Sequence, residues 1–464
     1  MNHLDYFSPA KRPVEACIVG SGGFGRSFIA QGLRVPLMNV RVAVDIDVSV
    51  AAESFVAVGV PAGEVARCAT AEEAARAWAA GGCVAAADLD IVSRLPVDVV
   101  VEATGNPEAG ARHGRMAIEA GRHLVLVSKE VDSVVGPYLA AYARQHGRVV
   151  TPVDGDQPSL LIGLITWART LGFEIVVGGK SSEYDFVFDE ASGVLACNGA
   201  AHALPALSGQ MALGGRAVDE VTQERARVCA ALPQHAVPDL CELQVVANAT
   251  GLIFDRPDLH APIARIPEVP TLFAPAAEDG LLGRTGVLDV FHCLRRPEEA
   301  SFAGGVFIVV RCDDAPTWKL LEEKGHLVSR NGKYAMIFNP RHLLGLEAAT
   351  SVLEAAVHGR SCGAREPFPH FDLTARATRR LAAGSPLRMG GHHHTIDGAS
   401  AELHPARPLG PENPVPFYLA ANRRLARDVE AGALLTLADI DVDPTSELLA
   451  LRTRQDALFF RTRS

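Results

Sequence analysis

The chain has 464 residues, of which 48% are hydrophobic, 21% charged and 6% aromatic. That balance excludes disorder and fibrous architectures and leaves room for about three domains at roughly 150 residues each. Lys and Arg total 44 against 54 Asp and Glu, and a net charge of −10 lacks the basic footprint that a phosphate backbone demands, so nucleic acid is not an expected partner. A small anionic substrate stays open, because one pocket can be positive on an acidic protein.

The first residues carry Asp5 and Glu15 and reach no apolar run before Ala16; no secretory or transit segment is expected, and the location expected is cytoplasmic. A strand is expected over 16–19. It runs into Gly20, Ser21, Gly22, Gly23, Phe24 and Gly25, and apolar residues at Phe28, Ile29 and Leu33 then continue with helical spacing. In a strand, glycine turn, helix unit, Gly20 makes the tight turn, Gly22 lets backbone approach a pyrophosphate, and Gly25 lets helix pack on strand. The helix start turns unpaired N–H groups and the positive end of its dipole toward the phosphates.

A second strand over 40–44 ends at Asp45, 20 residues after Gly25, where a carboxylate can accept from ribose hydroxyls. Asp45 and Asp47 would repel a 2′-phosphate, so NAD is favoured over NADP. Further strands are expected over 97–101, 123–127 and 148–153, with a helix over 111–120. The alternation predicts an α/β fold with a Rossmann-type doubly wound parallel sheet. Ligands gather beyond the carboxyl ends of such strands. Thr104, Gly105 and Asn106 are therefore candidates for the nicotinamide ribose or carboxamide, with a capped turn at Asn106-Pro107 as the other reading. Ser128, Lys129 and Glu130 follow the next strand, where an ammonium could polarise a substrate oxygen.

In 154–158, DGDQP, Pro158 suits a first helical turn and Asp156 or Gln157 a cap for the helix over 160–171. A strand over 174–177 runs into Gly178, Gly179 and Lys180, and is expected to place Lys180 at a strand end facing a phosphate, carboxylate or carbonyl oxygen. The longest stretch without Asp, Glu, Lys or Arg, 191–215, is interrupted by Asn198, His202, Pro205 and five glycines; a loop-rich segment is expected, not a lipid-spanning helix. A helix over 242–250 should end at Gly251, with Asn248 capping or bridging. Strands are expected over 286–294 and 305–312, and Arg341 and His342 stand near a helix start, where they could serve an anion or a proton transfer.

Nine cysteines lie without a CxxC pair or metal-ligand spacing, Cys312 among them, as expected of buried thiols in a reducing compartment. The histidines at 392–394 behind Gly390 and Gly391 are expected to be solvent-exposed, with no metal site assigned. Residues 378–387, TRRLAAGSPL, match 426–435, ARDVEAGALL, at an offset of 48, which implies a duplicated half-unit with an oligomerisation, lid or ligand-binding role.

Taken together, GSGGFG with Asp45, VEATGNP at 101–107, DGDQP at 154–158, GGK at 178–180, VANATG at 246–251 and RHLLGLE at 341–347 resemble one family. It is the homoserine-dehydrogenase-like oxidoreductases with a C-terminal SAF module, some of which are described as a second class of deoxyxylulose phosphate reductoisomerase. The resemblance covers about 15–460. It implies a homodimer with a Rossmann domain (1–155), an α+β catalytic and dimerisation domain (156–365) and a small β-rich SAF-like module (366–464). The activity expected is NAD(P)-dependent hydride transfer on a small polar hydroxy-carbonyl compound. Lys129 and Lys180 would bind its oxygen, Asp156 or Glu130 would be the proton partner, and His342 would be a further catalytic candidate. The reductoisomerase version adds magnesium or manganese chelated by carboxylates; a plain dehydrogenase of a hydroxy acid or amino-acid-derived aldehyde needs none. A non-catalytic dinucleotide-binding sensor is the remaining alternative.

Overall fold

The computed structural model describes residues 2–311, 313–391 and 393–460; Cys312 and His392 lie outside them. The first sheet consists of β1 (Val14–Val19), β2 (Met38–Val44), β3 (Val65–Cys68), β4 (Cys83–Ala86), β5 (Val99–Glu102), β6 (His123–Leu126) and β7 (Val150–Pro152). All pairs are parallel, in the order β3-β4-β2-β1-β5-β6-β7. The valine-rich runs of β1, β2 and β5 are buried almost throughout, as strands covered by helices on both faces require. β3 and β4, four residues each, are strands that the sequence analysis does not name. The chain leaves β1 toward β2 on one side and resumes at β5 on the other, so a crevice opens at the carboxyl ends of β1 and β5.

The second, mixed sheet is built around β8 (Glu174–Asp189), with β9 (Val194–Cys197), β10 (Ala200–Ala203), β11 (Ile263–Ala264), β12 (Val287–Arg295), β13 (Val306–Arg311), β14 (Leu327–Val328) and β15 (Tyr334–Asn339). β8 pairs parallel with β12 and antiparallel with β13. Two expectations change here. The segment 191–215 contains a hairpin, because Asn198 and Gly199, both at positive φ (50° and 75°), link the paired residues Cys197 and Ala200. An Asn-Gly pair at positive φ makes the turn whose twist suits a two-residue hairpin. And β8 does not stop at Val177: Gly178 and Gly179 are interior strand residues. A Cβ on Gly179 would stand 2.3 Å from the Asp289 carbonyl oxygen and 2.6 Å from the Phe307 ring, so these glycines serve packing inside the sheet, not approach to a ligand.

The helix Val237–Thr250 is buried on nearly every side and ends at Gly251 in the left-handed conformation (φ 71°). Asn248 bridges as one of its readings foresaw, its Oδ1 accepting from the N–H groups of His370 and Phe371.

The third sheet, β16 (Phe371–Ala377), β17 (Met389–Gly390), β18 (Thr395–Ile396) and β19 (Ala399–Pro405), is antiparallel. The internal repeat is written into its surroundings as a local two-fold. Leu381 and Val429, 48 positions apart, exchange N–H···O bonds of 2.9 Å in both directions. Gly384 N–H donates to the Leu425 carbonyl, and its counterpart Gly432 N–H to Ala377. The helix Glu447–Phe459 docks this region on the helix Lys129–Gln145, with the buried Arg452 held by Asp372 (2.7 and 2.8 Å) and Asp456 (2.8 Å). Among the described residues no helix is long and apolar enough to cross a membrane.

Candidate active site

The crevice is built from backbone. Gly20 has φ +94°, and a Cβ there would meet the Ala103 carbonyl oxygen at 2.5 Å; on Gly25 it would meet the Gly20 oxygen at 2.2 Å. Gly22 and Gly23 face open space within 4 Å. Two glycines thus close the turn against its neighbours and two leave it open. The helix Gly23–Gly32 starts with no side-chain cap, and the buried Ser21 hydroxyl has no hydrogen-bond partner. Asp45 is fixed beside the turn, accepting from the N–H groups of Ser21 (2.9 Å) and Asp47 (3.2 Å). Asp47 itself caps the next helix through Ser49 N–H. These residues fit the phosphates and ribose of a dinucleotide.

Across the crevice, Gly105 N–H donates to Ser128 Oγ at 2.8 Å, tying the ends of β5 and β6 together. Thr104 donates to the buried Glu102 at 2.5 Å. Asn106 caps the helix Pro107–Glu119, accepting from Glu108 and Ala109 N–H at 3.0 Å; the capped turn is the geometry seen.

Lys129 and Glu130 open the helix that follows β6. Lys129 Nζ pairs with Asp156 (3.3 Å) and Glu242; Lys180 Nζ pairs with Asp239 (2.8 Å) and the other oxygen of Glu242. Asp156 also caps the helix Gln157–Thr170 through Gln157 N–H (2.9 Å), as DGDQP suggested, and Ser182 Oγ donates to Asp239 at 2.5 Å. Four segments distant in sequence therefore meet in one chain of alternating charges. Burial pushes the Glu242 carboxyl up, but the two ammonium groups outweigh it and hold it at about 2. Burial works against the charge on both lysines; the carboxylates outweigh it and keep them protonated far above neutral pH.

Access separates the two lysines. Lys129 keeps 22% of its side-chain surface, Lys180 only 1%. Lys129 can touch a substrate; Lys180, placed at a strand end by the sequence analysis, lies mid-strand behind Glu242 and positions that carboxylate. Glu130 is different again. Burial, reinforced by Glu102 and Asp156 and opposed by Lys129, pushes its carboxyl up to about 7, and its Oε2 has no partner. It can hold or release a proton near neutral pH, whereas Asp156 is committed to Lys129 and to its cap.

His342 is not brought to this cluster. It packs over Gly304, while Arg341 pairs with Glu347 (2.5 Å) and Leu344 N–H donates to Gly155, so the segment 341–347 serves as a packing joint against the helix Gly23–Gly32. The sequence analysis missed Asp239 and Glu242, whose spacing of three on one helix was the available signal. It also missed two C-terminal residues at the site, His394 and Tyr418. His394 Nδ1 lies 2.9 Å from Tyr418 Oη and its Nε2 3.8 Å from Glu130, which corrects the expectation of solvent exposure for His394; His392 lies outside the described residues. A divalent cation does not fit the carboxylates: Lys129 and Lys180 stand between them, and among the described residues no three His, Cys, Asp or Glu side chains are grouped to hold one.

Residues 235–348 match the family profile described as oxidoreductase DRL, catalytic domain; this segment supplies Asp239 and Glu242. No curated protein matches the chain. Similar solved structures include DOX-P reductoisomerase in complex with NADPH, fosmidomycin and magnesium, at 20% identity over 37% of this chain and 45% of that one, TM-score 0.27. An oxidoreductase from Bacillus cereus is 12% identical over 76% and 92%, TM-score 0.35. Amine dehydrogenase from Mycobacterium smegmatis is 14% identical over 74% and 91%, TM-score 0.35. The chain spans less than half the length of the reductoisomerase chain it matches, and its central segment is similar to an oxidoreductase catalytic domain.

Proposed function

We propose that the protein is a nicotinamide-dependent oxidoreductase acting on a small polar hydroxy-carbonyl compound that carries a phosphate or carboxylate. The observation that carries this reading is the position of Lys129 and Glu130, directly after β6 and beside the Ser128–Gly105 link, where the crevice meets the charged cluster. Gly20, Gly22, Gly23, Phe24 and Gly25 with Asp45 would hold the dinucleotide, and Asp45 favours NAD. When bound, a nicotinamide gives or takes a hydride. The chain's own part is to hold the substrate oxygen with the Lys129 ammonium and to move its proton at Glu130. Glu242, Asp156 and Lys180 keep Lys129 charged and in place.

The finer assignment, a SAF-bearing homoserine-dehydrogenase-like homodimer in the cytoplasm, rests on the resemblance of the sequence motifs. Reductoisomerase chemistry on a ketose phosphate is the second reading, favoured by the Glu130, Asp156 and Lys180 surroundings; since the cluster does not fit a divalent cation, no step is routed through one. The test is a panel of hydroxy acids, aldehydes and ketose phosphates followed at the NAD(P)H absorbance, with and without chelator. Metal-independent turnover of a hydroxy acid or aldehyde supports the dehydrogenase. Turnover lost on chelation and restored by magnesium supports the reductoisomerase, and no turnover with any of them removes the proposal.

A further inference from the structure

The proton assigned to Glu130 needs a route to water, because the carboxyl is buried, its Oε2 has no hydrogen-bond partner and its Oε1 lies 3.8 Å from His394 Nε2. We infer that the C-terminal region supplies that route: His394, on the turn between β17 and β18 and backed by Tyr418, is the proton-relay residue of Glu130. This rests on the oxidoreductase reading above.

Three observations support it. His394 presents both ring nitrogens to the site, Nδ1 to Tyr418 Oη at 2.9 Å and Nε2 to Glu130 Oε1 at 3.8 Å, a gap that one water or a small rotation closes. Its side chain keeps 19% of its surface against 7% for Glu130, so the imidazole spans from the buried carboxyl to the outside. And its placement is enforced. His394 has φ 54°, a left-handed conformation that a non-glycine residue rarely adopts. His393 next to it bonds Glu183 of β8 at 2.9 Å.

The region carrying the turn is bolted to the very helix that begins with Lys129 and Glu130. Gln455 accepts from Tyr138 N–H (3.1 Å) and donates to the Val134 carbonyl (3.0 Å). On the neighbouring helix Pro107–Glu119, Arg115 pairs with Glu447 at 2.8 Å, and Glu108 accepts from Ser446 Oγ at 2.6 Å. The C-terminal region, through His394 and Tyr418 between the two repeat copies, is thus a wall of the candidate site as well as a packing partner.

The proton balance is simple. In the oxidising direction the substrate hydroxyl gives its proton to the Glu130 carboxylate, and a bound nicotinamide would take the hydride from the carbon that bore that hydroxyl. The Glu130 O–H passes that proton to Nε2 of neutral His394, and the imidazolium returns to neutrality by losing a proton to solvent. Tyr418, whose hydroxyl burial keeps protonated, holds the ring in orientation. The groups that bear on Glu130 from the surrounding elements are Lys129, Glu102, Asp156, Cys241, Tyr418 and His394.

The experiment is a histidine NMR titration of the full chain in wild-type and Glu130→Gln forms. The His394 signal is assigned by its loss in His394→Gln, and NADH binding to the wild type is measured alongside by fluorescence. The expected result is a His394 pKa lower by about half a unit or more in Glu130→Gln, because an adjacent carboxylate favours the imidazolium. Identical titrations with NADH bound by the wild type overturn the relay alone. A coupled His394 in a protein that binds no NADH overturns the oxidoreductase reading and the relay's purpose with it.

Discussion

The glycine cradle after β1 and the charged cluster that begins after β6 are made in opposite ways. The cradle is local: six consecutive residues and Asp45, with shape set by backbone and by which glycines have room for a Cβ. The cluster is assembled from Lys129, Asp156, Lys180 and the pair Asp239 and Glu242, side chains whose charges exist in the interior only because each neutralises the next. Local backbone sites tolerate loss of a side chain elsewhere; a buried ionic chain does not, since removing one member strands its neighbours.

The sharpest break between the two is Glu242→Ala. It leaves two ammonium groups short of a partner and is expected to cost about 3–5 kcal/mol of stability, read as a lowered denaturant midpoint; an unchanged midpoint would show that the cluster is not a structural unit. Next is Lys129→Ala. Loss of the accessible ammonium is expected to lower kcat/KM by about 10²-fold to 10³-fold, measured by initial rates on whichever substrate the panel identifies. A rate within a few-fold of wild type would take Lys129 out of the chemistry.

Glu130 provides a pH signature. A carboxyl whose pKa is higher folded than unfolded binds its proton more tightly in the native state. Its contribution is therefore complete below about pH 4.5 and is lost as pH rises through about 7. Wild type is expected to lose on the order of 3 kcal/mol across that window relative to Glu130→Gln, in denaturant series at each pH. Asp132, buried on the same helix and pushed up to about 7 by its burial, titrates in both proteins and cancels in the difference. The smallest effect belongs to backbone alone: Gly251→Ala, at φ 71°, is expected to cost about 1 kcal/mol and leave the pH signature unaltered.

The same contrast explains what could be read in advance. The glycine turn, Asp45, the Asp156 cap and the end of a helix at Gly251 were legible because each depends on residues close in sequence. Lys180 was recognised as a site residue but given the wrong setting, because β8 extends far beyond the apolar run that announced it. Asp239 and Glu242 were passed over because an acidic pair at a spacing of three usually faces solvent; only the fold turns this pair inward to meet lysines more than 50 positions away. His394 was unreadable for a related reason, since nothing in a glycine-flanked histidine run says which distant helix it will cover. The 48-residue repeat, by contrast, was visible as sequence and reappears as reciprocal hydrogen bonds between its copies.

The central claim, a nicotinamide held in the glycine crevice opposite Lys129, is tested most directly by titrating NADH and NADPH into wild type and Gly22→Val under fluorescence. The account expects saturable binding by the wild type, tighter for NADH, and at least a roughly tenfold loss in Gly22→Val, where a side chain enters the open face of the turn. No saturation by the wild type, or equal affinity in the two proteins, would contradict it.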